Sequence, residues 1–340
     1  MRPSPTASHQ MGLIASSDSA VRSALTSAAL EPVPVVEAAS TLLRHGGSIP
    51  ILLNLPAEEH RRRRRAIAPA FTRGALQPWS QSVETLSGEL MRHVPRGAPI
   101  SLKATYSLPL ALGTACQFVG VSPELEGEVE RRVETFFGQG STPPQSASLA
   151  GLRLVRLVVD AFRKAEPEPR REGLRSSSTA LCRLEPDIRE DAIAAAVSVL
   201  MAGTEMTSRA ILACVAQQVP LGVGDAEASP TELSDEHIDM AILQSQLLPA
   251  VLRQSVAPER DSEVVTVKLQ PDDLATGGYP FGLGVHHCLG AHWVRLVSRV
   301  ATQAFLRSAG AFELVDVFYE REAVGIGGIS DISCIVRGGL

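Results

Sequence analysis

The longest regular hydrophobic pattern in this chain runs from Asp187 to about Gln217 at helical spacing. Its middle, from Ala192 to Gly203, is apolar on every side, which predicts a helix that passes through the core rather than along the surface. Glu205 follows within the same pattern. Because a buried carboxylate is costly unless it is paired or used in chemistry, Glu205 is a candidate functional residue.

Shorter patterns predict further helices and a few strands. Near the N-terminus a strand is expected at 13–15, followed by a Ser17-Asp18 cap and a helix carrying the apolar residues Val21, Leu25 and Leu30. Other predicted elements are helices at 108–124, with a Gly-Val-x-Pro stop, and at 152–164, and strands at 312–315 and 332–336 joined by a turn at 325–328. The polar residues 1–10 predict a disordered tail, which leaves 11–340 as a single domain.

A glycine-rich loop from Phe281 to Gly290 delivers one cysteine, Cys288, to the start of another apolar helical pattern. A helix N-terminus has unpaired N–H donors and partial positive charge, so we expect Cys288 to be held as a thiolate. Gly282, Gly284 and Gly290 are expected to allow dihedral angles and close packing that other residues resist. A lone thiolate cannot complete a zinc or iron–sulfur site, but it can bind haem iron from one side. The alternative for any single cysteine is a buried structural thiol.

Composition narrows the class of protein. A chain of 340 residues with 44% hydrophobic content can bury a large core. The net charge of -5 argues against a general nucleic-acid binder. The 5 cysteines are scattered and include no CxxC pair, which indicates a reducing compartment without disulfides. The start of the chain has no signal-peptide pattern, and the longest apolar run is shorter than a membrane span. We therefore expect a soluble, cytoplasmic protein.

The loop from Phe281 to Gly290 resembles the cysteine-ligand loop of the cytochrome P450 family of haem-thiolate monooxygenases, whose pattern is F-G-x-G-x-H/R-x-C-x-G. Every fixed position of that pattern is filled, and Arg295 follows it. The resemblance implies a mainly α fold with small β-sheets (α+β), shortened at the N-terminus and between the K helix and the cysteine loop. It also implies haem b as the cofactor, with Cys288 as the iron ligand and with Phe281, Gly282 and Gly290 in contact with the haem.

A run of arginines from Arg61 to Arg65 follows His60. By itself such a run predicts a nucleic-acid patch or a solvated helix face. The segment is similar to the family's C helix, in which a histidine and an arginine four residues later face the haem propionates. His60 and Arg64 have this spacing, and buried carboxylates need cationic hydrogen-bond donors. The resemblance implies that His60, Arg64 and His286 hold the propionates. The remaining arginines are candidates for a proximal surface that docks a ferredoxin or flavodoxin electron donor.

The segment at 201–207 resembles the family's distal I-helix motif, A/G-G-x-D/E-T-T/S. In the family this motif lies over the haem, and its acid and the following threonine handle protons for iron-bound oxygen. The resemblance therefore implies that Ala202 lies against the haem. It also implies that Glu205 acts as a general acid.

The match to the I-helix motif is incomplete at the residue after the acid, where Met206 replaces an alcohol. Because a thioether has no proton to donate, the usual relay is interrupted there. Thr204 and Thr207 are the candidates to replace it through a water molecule. Met206 is also a candidate sixth ligand of the iron. This departure concerns the reaction more than the fold.

The family's K helix carries E-x-x-R, an ion pair that an arginine of the later meander completes. We assign this helix to 247–253, where Arg253 matches but Ala250 stands in the glutamate position. Asp273 stands where the meander arginine belongs. We therefore expect a compensating Arg253–Asp273 ion pair, because a buried arginine must find an anion or reach water. Only residues 254–280 separate Arg253 from the cysteine loop, so the strands beside the substrate pocket are expected to be short and the pocket open.

Three functions remain open. The first is a haem-thiolate oxidoreductase that acts on a small molecule in secondary metabolism and receives electrons from a ferredoxin or flavodoxin. The second is a haem-thiolate enzyme without the monooxygenase cycle, which catalyses peroxide-driven oxidation, dehydration or rearrangement, because the distal threonine is replaced. The third is a non-catalytic protein that activates a partner enzyme. None of the three requires a nucleic acid or a membrane.

Overall fold

A computed structural model describes most of the chain at side-chain level. The described residues are 13–27, 29–32, 52, 55, 57–121, 123–137, 153–154, 156–158, 189–218, 226–227, 233–255, 264–273, 277–320 and 327–337. The tail at 1–10, most of the helix at 152–164 and much of the turn at 325–328 therefore lie outside the described residues.

Helices make up most of the described structure, as the sequence predicts. They are α1 (Asp18–Thr26), α2 (Ala57–Ile67), the single turn α3 (Arg73–Leu76), α4 (Trp79–His93), α5 (Leu108–Val119), α6 (Glu126–Phe137), α7 (Arg189–Ser198), α8 (Thr204–Gln218), α9 (Asp235–Gln244) and α10 (Ala291–Ala309). A π-helical turn, Val199–Gly203, joins α7 to α8, so the long predicted core helix is confirmed as one run with a bulge in its middle.

Two small sheets complete the fold. The first has the strand order β1 (Leu13–Ala15), β6 (Val264–Lys268), β5 (Ala250–Ser255), β2 (Leu30–Pro32), in which only the β1–β6 pair is parallel. The second is antiparallel, with the order β3 (Pro99–Ser101), β8 (Gly328–Val336), β7 (Ala311–Glu320), β4 (Ala226–Glu227). The mainly α fold with small β-sheets is thus confirmed.

Helix α8 lies at the centre of the molecule, packed against α5, α9, α10 and β8. Its residues from Thr207 to Val215 are buried on every side, as the all-round apolar pattern predicts. By length and composition, Ala194–Gln218 is the one described helical segment that could cross a membrane. However, 72% of its apolar window is buried inside the protein, as in a core helix.

Two predicted helix ends can be compared with the structure. Helix α5 ends at Gly120, whose φ of 84° is left-handed, so the predicted glycine stop is confirmed. Ser17 caps α1 by accepting a hydrogen bond from the N–H of Ala20, also as predicted. The extension of α1 to Leu30 is wrong, because the backbone is already extended at Ser27. Leu30 lies in β2 and pairs with β5.

The assignment of a K helix to 247–253 is wrong. Helix α9 ends at Gln244, and Gln246 then takes a left-handed φ of 55°, which terminates the helix. Ala250 and Arg253 lie in strand β5, so they do not form a helical E-x-x-R pair. The expected Arg253–Asp273 ion pair is also wrong, because Asp273 Oδ1 accepts a hydrogen bond from the backbone N–H of Asp18 at 2.7 Å.

Candidate haem-thiolate site

Backbone hydrogen bonds shape the cysteine loop before α10 begins. The N–H of Cys288 donates to the carbonyl of Phe281 at 2.8 Å, and the N–H of His287 donates to Gly284 at 3.1 Å. Gly290 is the N-cap of α10, and its carbonyl accepts from Val294 at 2.9 Å. The predicted placement of Cys288 just ahead of a helix N-terminus is therefore confirmed.

Cys288 lines a recess within the protein. The residue is exposed, unlike the other described cysteines, Cys116, Cys214 and Cys334, which are buried. Yet enough protein surrounds it that burial raises the pKa of its thiol, against the lowering effects of the Gly290 N–H and the Arg64 charge. A side chain that is both accessible and surrounded by protein lies on the wall of a cavity. Desolvation thus opposes the thiolate that the helix terminus favours, and a cation bound at the sulfur would favour the deprotonated form.

Two of the three loop glycines are required by the backbone. Gly282 and Gly284 have φ angles of 69° and 74°, which L-residues adopt at a cost. A Cβ on Gly284 would also lie 2.9 Å from the carbonyl oxygen of Leu25 in α1. Gly290 differs from the expectation, since its φ is -81° and its Cβ would lie 3.9 Å from Cys288 Sγ, an ordinary contact.

Replacing Gly284 by alanine is expected to lower the midpoint of thermal unfolding, because the new Cβ forces the loop away from α1. The matched control is Gly97→Ala, whose φ of 75° gives the same backbone strain with no atom within 4 Å of the new Cβ. Strain alone costs about 1 kcal/mol, and the steric conflict adds about 1–3 kcal/mol in Gly284→Ala only. Equal losses in the two variants, measured by calorimetry, would show that the contact with α1 does not matter.

Arg295 ties the cysteine loop to α9. Its guanidinium lies 4.6 Å from the ring centroid of Phe281, and it donates two hydrogen bonds, at 2.7 and 2.6 Å, to the carboxylate of Asp239. A bidentate pair of this kind fixes the direction of the arginine plane and so fixes the ring beneath it. The role of Asp239 could not be read from the sequence.

Two predicted propionate-binding residues meet in the structure. The rings of His60 and His286 lie 4.3 Å apart, tilted by 51°. The Nδ1 atom of each is buried, and no hydrogen-bond partner for it exists among the described residues. Burial and the nearby charge of Arg64 lower the pKa of His60. Burial, His60 and Arg253 lower that of His286 to about 4. Both rings are therefore neutral, with one N–H each to donate.

Arg64 and Arg253 lie beside these histidines. Burial lowers the pKa of both guanidinium groups. Arg253 is 6% exposed and donates only to the carbonyl of Leu252, at 3.3 Å, within the part of the chain that the structure describes. Neither arginine has a carboxylate partner among the described residues. An unpaired buried cation is expensive, so the pair indicates a site built for an anion.

The donor set fits haem b. Two arginines without a carboxylate partner and two histidine rings with unsatisfied Nδ1 atoms, among the described residues, match the requirement of two buried propionates for hydrogen-bond donors, and Cys288 supplies a single sulfur ligand beside Arg64. Sequence reasoning identified His60, Arg64, His286 and Cys288 but placed Arg253 in a helical ion pair. The sequence feature that could have placed Arg253 in a strand is Pro249 followed by an apolar run, which is typical of the start of a strand.

Glu205 lies in a buried network of ion pairs. Its Oε1 accepts from Lys103 Nζ at 2.9 Å and from Arg209 Nε at 2.6 Å. Arg209 also donates to Glu320 at 2.6 Å and to the carbonyl of Gly327 at 3.0 Å. Burial opposes ionisation of Glu205, but the two cations outweigh it and lower its pKa. Glu205 is therefore a carboxylate at neutral pH, anchored through one oxygen and linked to the β7–β8 hairpin.

The other distal candidates lie in or just after the π-helical turn Val199–Gly203, a feature that often marks functional sites. Ala202, within the turn, is exposed, and Met206 in α8 is partly exposed. The hydroxyl oxygens of Thr204 and Thr207 are buried without a hydrogen-bond partner among the described residues. Their roles in catalysis, and that of Ala202 against the haem, remain predictions.

Comparisons with known proteins agree with this interpretation of the fold. No family model matches the chain. The vitamin D(3) 25-hydroxylase of Pseudonocardia autotrophica is 23% identical over 282 residues, which cover 74% of this chain and 68% of that protein. The mycinamicin IV hydroxylase/epoxidase of Micromonospora griseorubida is 22% identical over 286 residues, covering 75% of this chain and 71% of that protein.

Solved structures give the same result at lower identity. CYP108D1 from Novosphingobium aromaticivorans superposes with a TM-score of 0.76 at 18% identity, covering 98% of this chain and 89% of that one. The cytochrome P450 enzyme CxnD, for C–S bond formation in chuangxinmycin biosynthesis, gives 0.74 at 16% identity, covering 95% and 88%. The chain therefore has the cytochrome P450 fold and is a divergent relative of the bacterial cytochromes P450, whose cofactor is haem b bound through a cysteine thiolate.

Proposed function

We propose that this protein is a haem-thiolate oxidoreductase that oxidises a small organic molecule. The observation that carries the proposal is the convergence of Cys288 with four donors, His60, Arg64, Arg253 and His286, that have no carboxylate partner among the described residues. Haem bound through a thiolate supplies a redox-active iron at which oxygen is activated. The proposal treats 11–340 as one haem-binding domain in the cytoplasm.

The residues of the chain have separate roles in this proposal. Cys288 would bind the iron, and the four donors would neutralise the propionates. Phe281, Gly282 and Gly290 of the cysteine loop, and Ala202 of the distal segment, would contact the haem. Glu205 holds its place through Oε1 and moves protons through its other carboxylate oxygen, with Thr204 or Thr207 in support.

The substrate class rests on the relatives. Their names state hydroxylation of vitamin D(3), hydroxylation or epoxidation of mycinamicin IV, and hydroxylation of dihydromenaquinone-9. Each is an organic molecule with large apolar parts, so we propose such a substrate here, in secondary metabolism. Electrons come from a ferredoxin or flavodoxin. Exposed Arg61 and Arg65 on α2 offer positive charge to such an acidic donor.

A second candidate keeps the haem without the monooxygenase cycle. Met206 favours it, since the partly exposed thioether stands where an alcohol is needed, and the two cations on Glu205 lower its capacity to donate a proton. The third candidate, a non-catalytic activator, has less support. A protein without haem has no physical reason to bury Arg253 without a carboxylate partner, and two histidine Nδ1 atoms without hydrogen-bond partners, among the described residues.

Turnover of an alkoxycoumarin separates the first two candidates. The protein is supplied either with ferredoxin, its reductase and oxygen, or with hydrogen peroxide, or with neither. Product in the first condition supports the monooxygenase, and product in the second alone supports a peroxide-driven enzyme. Reaction without any oxidant contradicts both of these and supports the dehydration or rearrangement form of the second candidate.

The Met206→Thr variant tests the interrupted proton relay. If Glu205 delivers protons during oxygen activation, an alcohol at position 206 is expected to raise the reductant-driven rate about tenfold or more relative to the peroxide-driven rate. Met201→Thr, a change of the same kind in the preceding π-helical turn, is the control and is expected to leave this ratio unchanged. An unchanged ratio in Met206→Thr would contradict a role for that position in proton delivery.

A further inference from the structure

We propose that helix α1 is the clamp that holds the cysteine loop in its iron-binding shape, with Asp18 and Tyr279 as positioning residues. The inference rests on the proposed haem-thiolate function. It assigns a role to an N-terminal helix that lies far from Cys288 in the sequence. Four separate contacts join this helix to the segment that leads into the loop.

The first contact is made by side chains. The hydroxyl of Tyr279 donates to Asp18 Oδ1, across 261 positions of the chain. Arg22, one helical turn after Asp18, donates to Asp18 Oδ2 at 2.9 Å, and its guanidinium lies 5.3 Å from the centroid of the Tyr279 ring. These bonds lower the pKa of Asp18, so it is a carboxylate at neutral pH. Tyr279 is thus held at its ring and at its hydroxyl.

Two further contacts are made at the N-terminus of α1. The backbone N–H of Asp18 donates to Asp273 Oδ1 at 2.7 Å, and the N–H of Asp272 donates to the carbonyl of Ser16 at 2.7 Å. The segment from Asp272 to Tyr279 therefore begins and ends on the same helix terminus. In addition, the N–H of Tyr279 donates to the carbonyl of Leu269 at 2.7 Å, which links Tyr279 to the end of strand β6.

The fourth contact lies at the other end of α1, where Gly284 packs against the carbonyl of Leu25. A short path of hydrogen bonds then leads from Tyr279 to the sulfur. The carbonyl of Tyr279 accepts from Gly282 at 2.9 Å, and the carbonyl of Phe281 accepts from Cys288 at 2.8 Å. Displacing Tyr279 therefore shifts the backbone that orients Cys288.

Asp273, which the sequence predicts to pair with Arg253, instead contributes one of the contacts to α1. That ion pair does not exist among the described residues, because Arg253 lies in β5 and Asp273 binds α1. Asp272, Asp273 and Tyr279, which precede the cysteine loop, are thus anchored at α1. Asp273 is the residue shared by the wrong prediction and the observed contact.

The test compares two tyrosine variants. Tyr279→Phe removes the hydroxyl that donates a hydrogen bond to Asp18 and keeps the aromatic ring beneath Arg22. The control, Tyr106→Phe, removes a buried hydroxyl that bonds to Ser87 and to the carbonyl of Ala301. Tyr279→Phe loses one hydrogen bond of a tyrosine hydroxyl and Tyr106→Phe loses two, so both variants are expected to unfold at lower temperature. Only Tyr279→Phe is expected to change the cysteine loop.

The readouts are the carbon monoxide spectrum of the reduced haem protein, haem transfer to apomyoglobin and hydrogen exchange of the amides of 281–290. In Tyr279→Phe we expect a smaller red-shifted thiolate band, haem transfer about tenfold faster and faster loop exchange. Asp18→Asn, which keeps an acceptor but not the charge, is expected to be intermediate. Tyr106→Phe is expected to match the unchanged protein in all three.

Two outcomes would overturn the inference. One is that Tyr279→Phe keeps the full thiolate band, the haem transfer rate and the loop exchange of the unchanged protein. The other is that Tyr106→Phe changes them as much. Failure of the proposed function is distinct, because the unchanged protein then shows no thiolate band. Loop exchange measured without haem still decides in that case whether α1 holds the loop.

Discussion

Replacing Cys288 by alanine is expected to abolish the red-shifted band that thiolate-bound haem shows after reduction and addition of carbon monoxide. The reason is that Cys288 is the one exposed cysteine among the described residues, and it lies beside the donors of the propionate site. Alanine offers no ligand atom, and the remaining contacts bind only the propionates. The haem is therefore expected to dissociate at least about a hundredfold faster. Absorbance during purification and transfer to apomyoglobin measure both effects.

The matched control for Cys288→Ala is Cys214→Ala, because Cys214 is buried in the core helix α8. This variant is expected to keep the thiolate band and to lose about 1 kcal/mol of folding free energy through the small cavity that it leaves. A thiolate band that survives in Cys288→Ala, or that disappears in Cys214→Ala, would contradict the assignment of the iron ligand.

Replacing Arg253 by methionine is expected to have opposite effects on the haem-free and the haem-bound protein. Without haem, the guanidinium is buried with no carboxylate among the described residues, so its removal should raise the free energy of unfolding by about 1–4 kcal/mol. With haem, the same change removes a charged donor to a propionate. Losing such a contact costs about 2–5 kcal/mol, so the dissociation constant for haem is expected to rise about thirtyfold or more.

Arg209→Met is the control for this crossover. Arg209 is 5% exposed, close to the 6% of Arg253, but it pairs with Glu205 and Glu320. Its replacement removes one of the two cations that pair with buried Glu205, as well as the ion pair with Glu320, and is expected to lower the free energy of unfolding by about 3–5 kcal/mol. Chemical unfolding of both haem-free variants measures the comparison. A loss of stability in Arg253→Met equal to that in Arg209→Met would contradict the anion-site interpretation.

The parts of the site that could be predicted from the sequence are those specified by short, local patterns. The loop from Phe281 to Gly290 and the pair His60 and Arg64 each lie within one element, so spacing alone identifies them. The contact between the rings of His60 and His286 joins distant segments, and only the resemblance to the P450 family brought these residues together.

The wrong predictions arose where a local match competed with tertiary structure. The residues from Leu247 to Arg253 were placed on a helix by one matching arginine. In the structure the left-handed Gln246 ends α9, and strand pairing with β2 and β6 sets the conformation of β5. The sequence indicates that Glu205 must be paired or functional, and its partner Arg209 is visible at the i, i+4 spacing. The second cation, Lys103, lies 102 positions earlier, so that contact could not be anticipated from spacing.

The expected state of Cys288 shows a further limit of local reasoning. A helix terminus lowers the pKa of a thiol, and this effect is visible in the sequence. The opposing desolvation depends on how α2, α10 and the loop enclose the sulfur, which only the folded structure shows. Because burial raises the pKa of Cys288, binding of the iron and loss of the thiol proton are expected to occur together.

Haem bound through Cys288 is the central claim, and one spectrum tests it directly. The purified protein, expressed with ample haem precursor, is measured oxidised and then reduced under carbon monoxide. We predict the red-shifted Soret band of a thiolate-bound ferrous haem in the unchanged protein. Protein that is folded but free of haem, or haem whose carbon monoxide band lies at the position typical of histidine ligation, would contradict the claim.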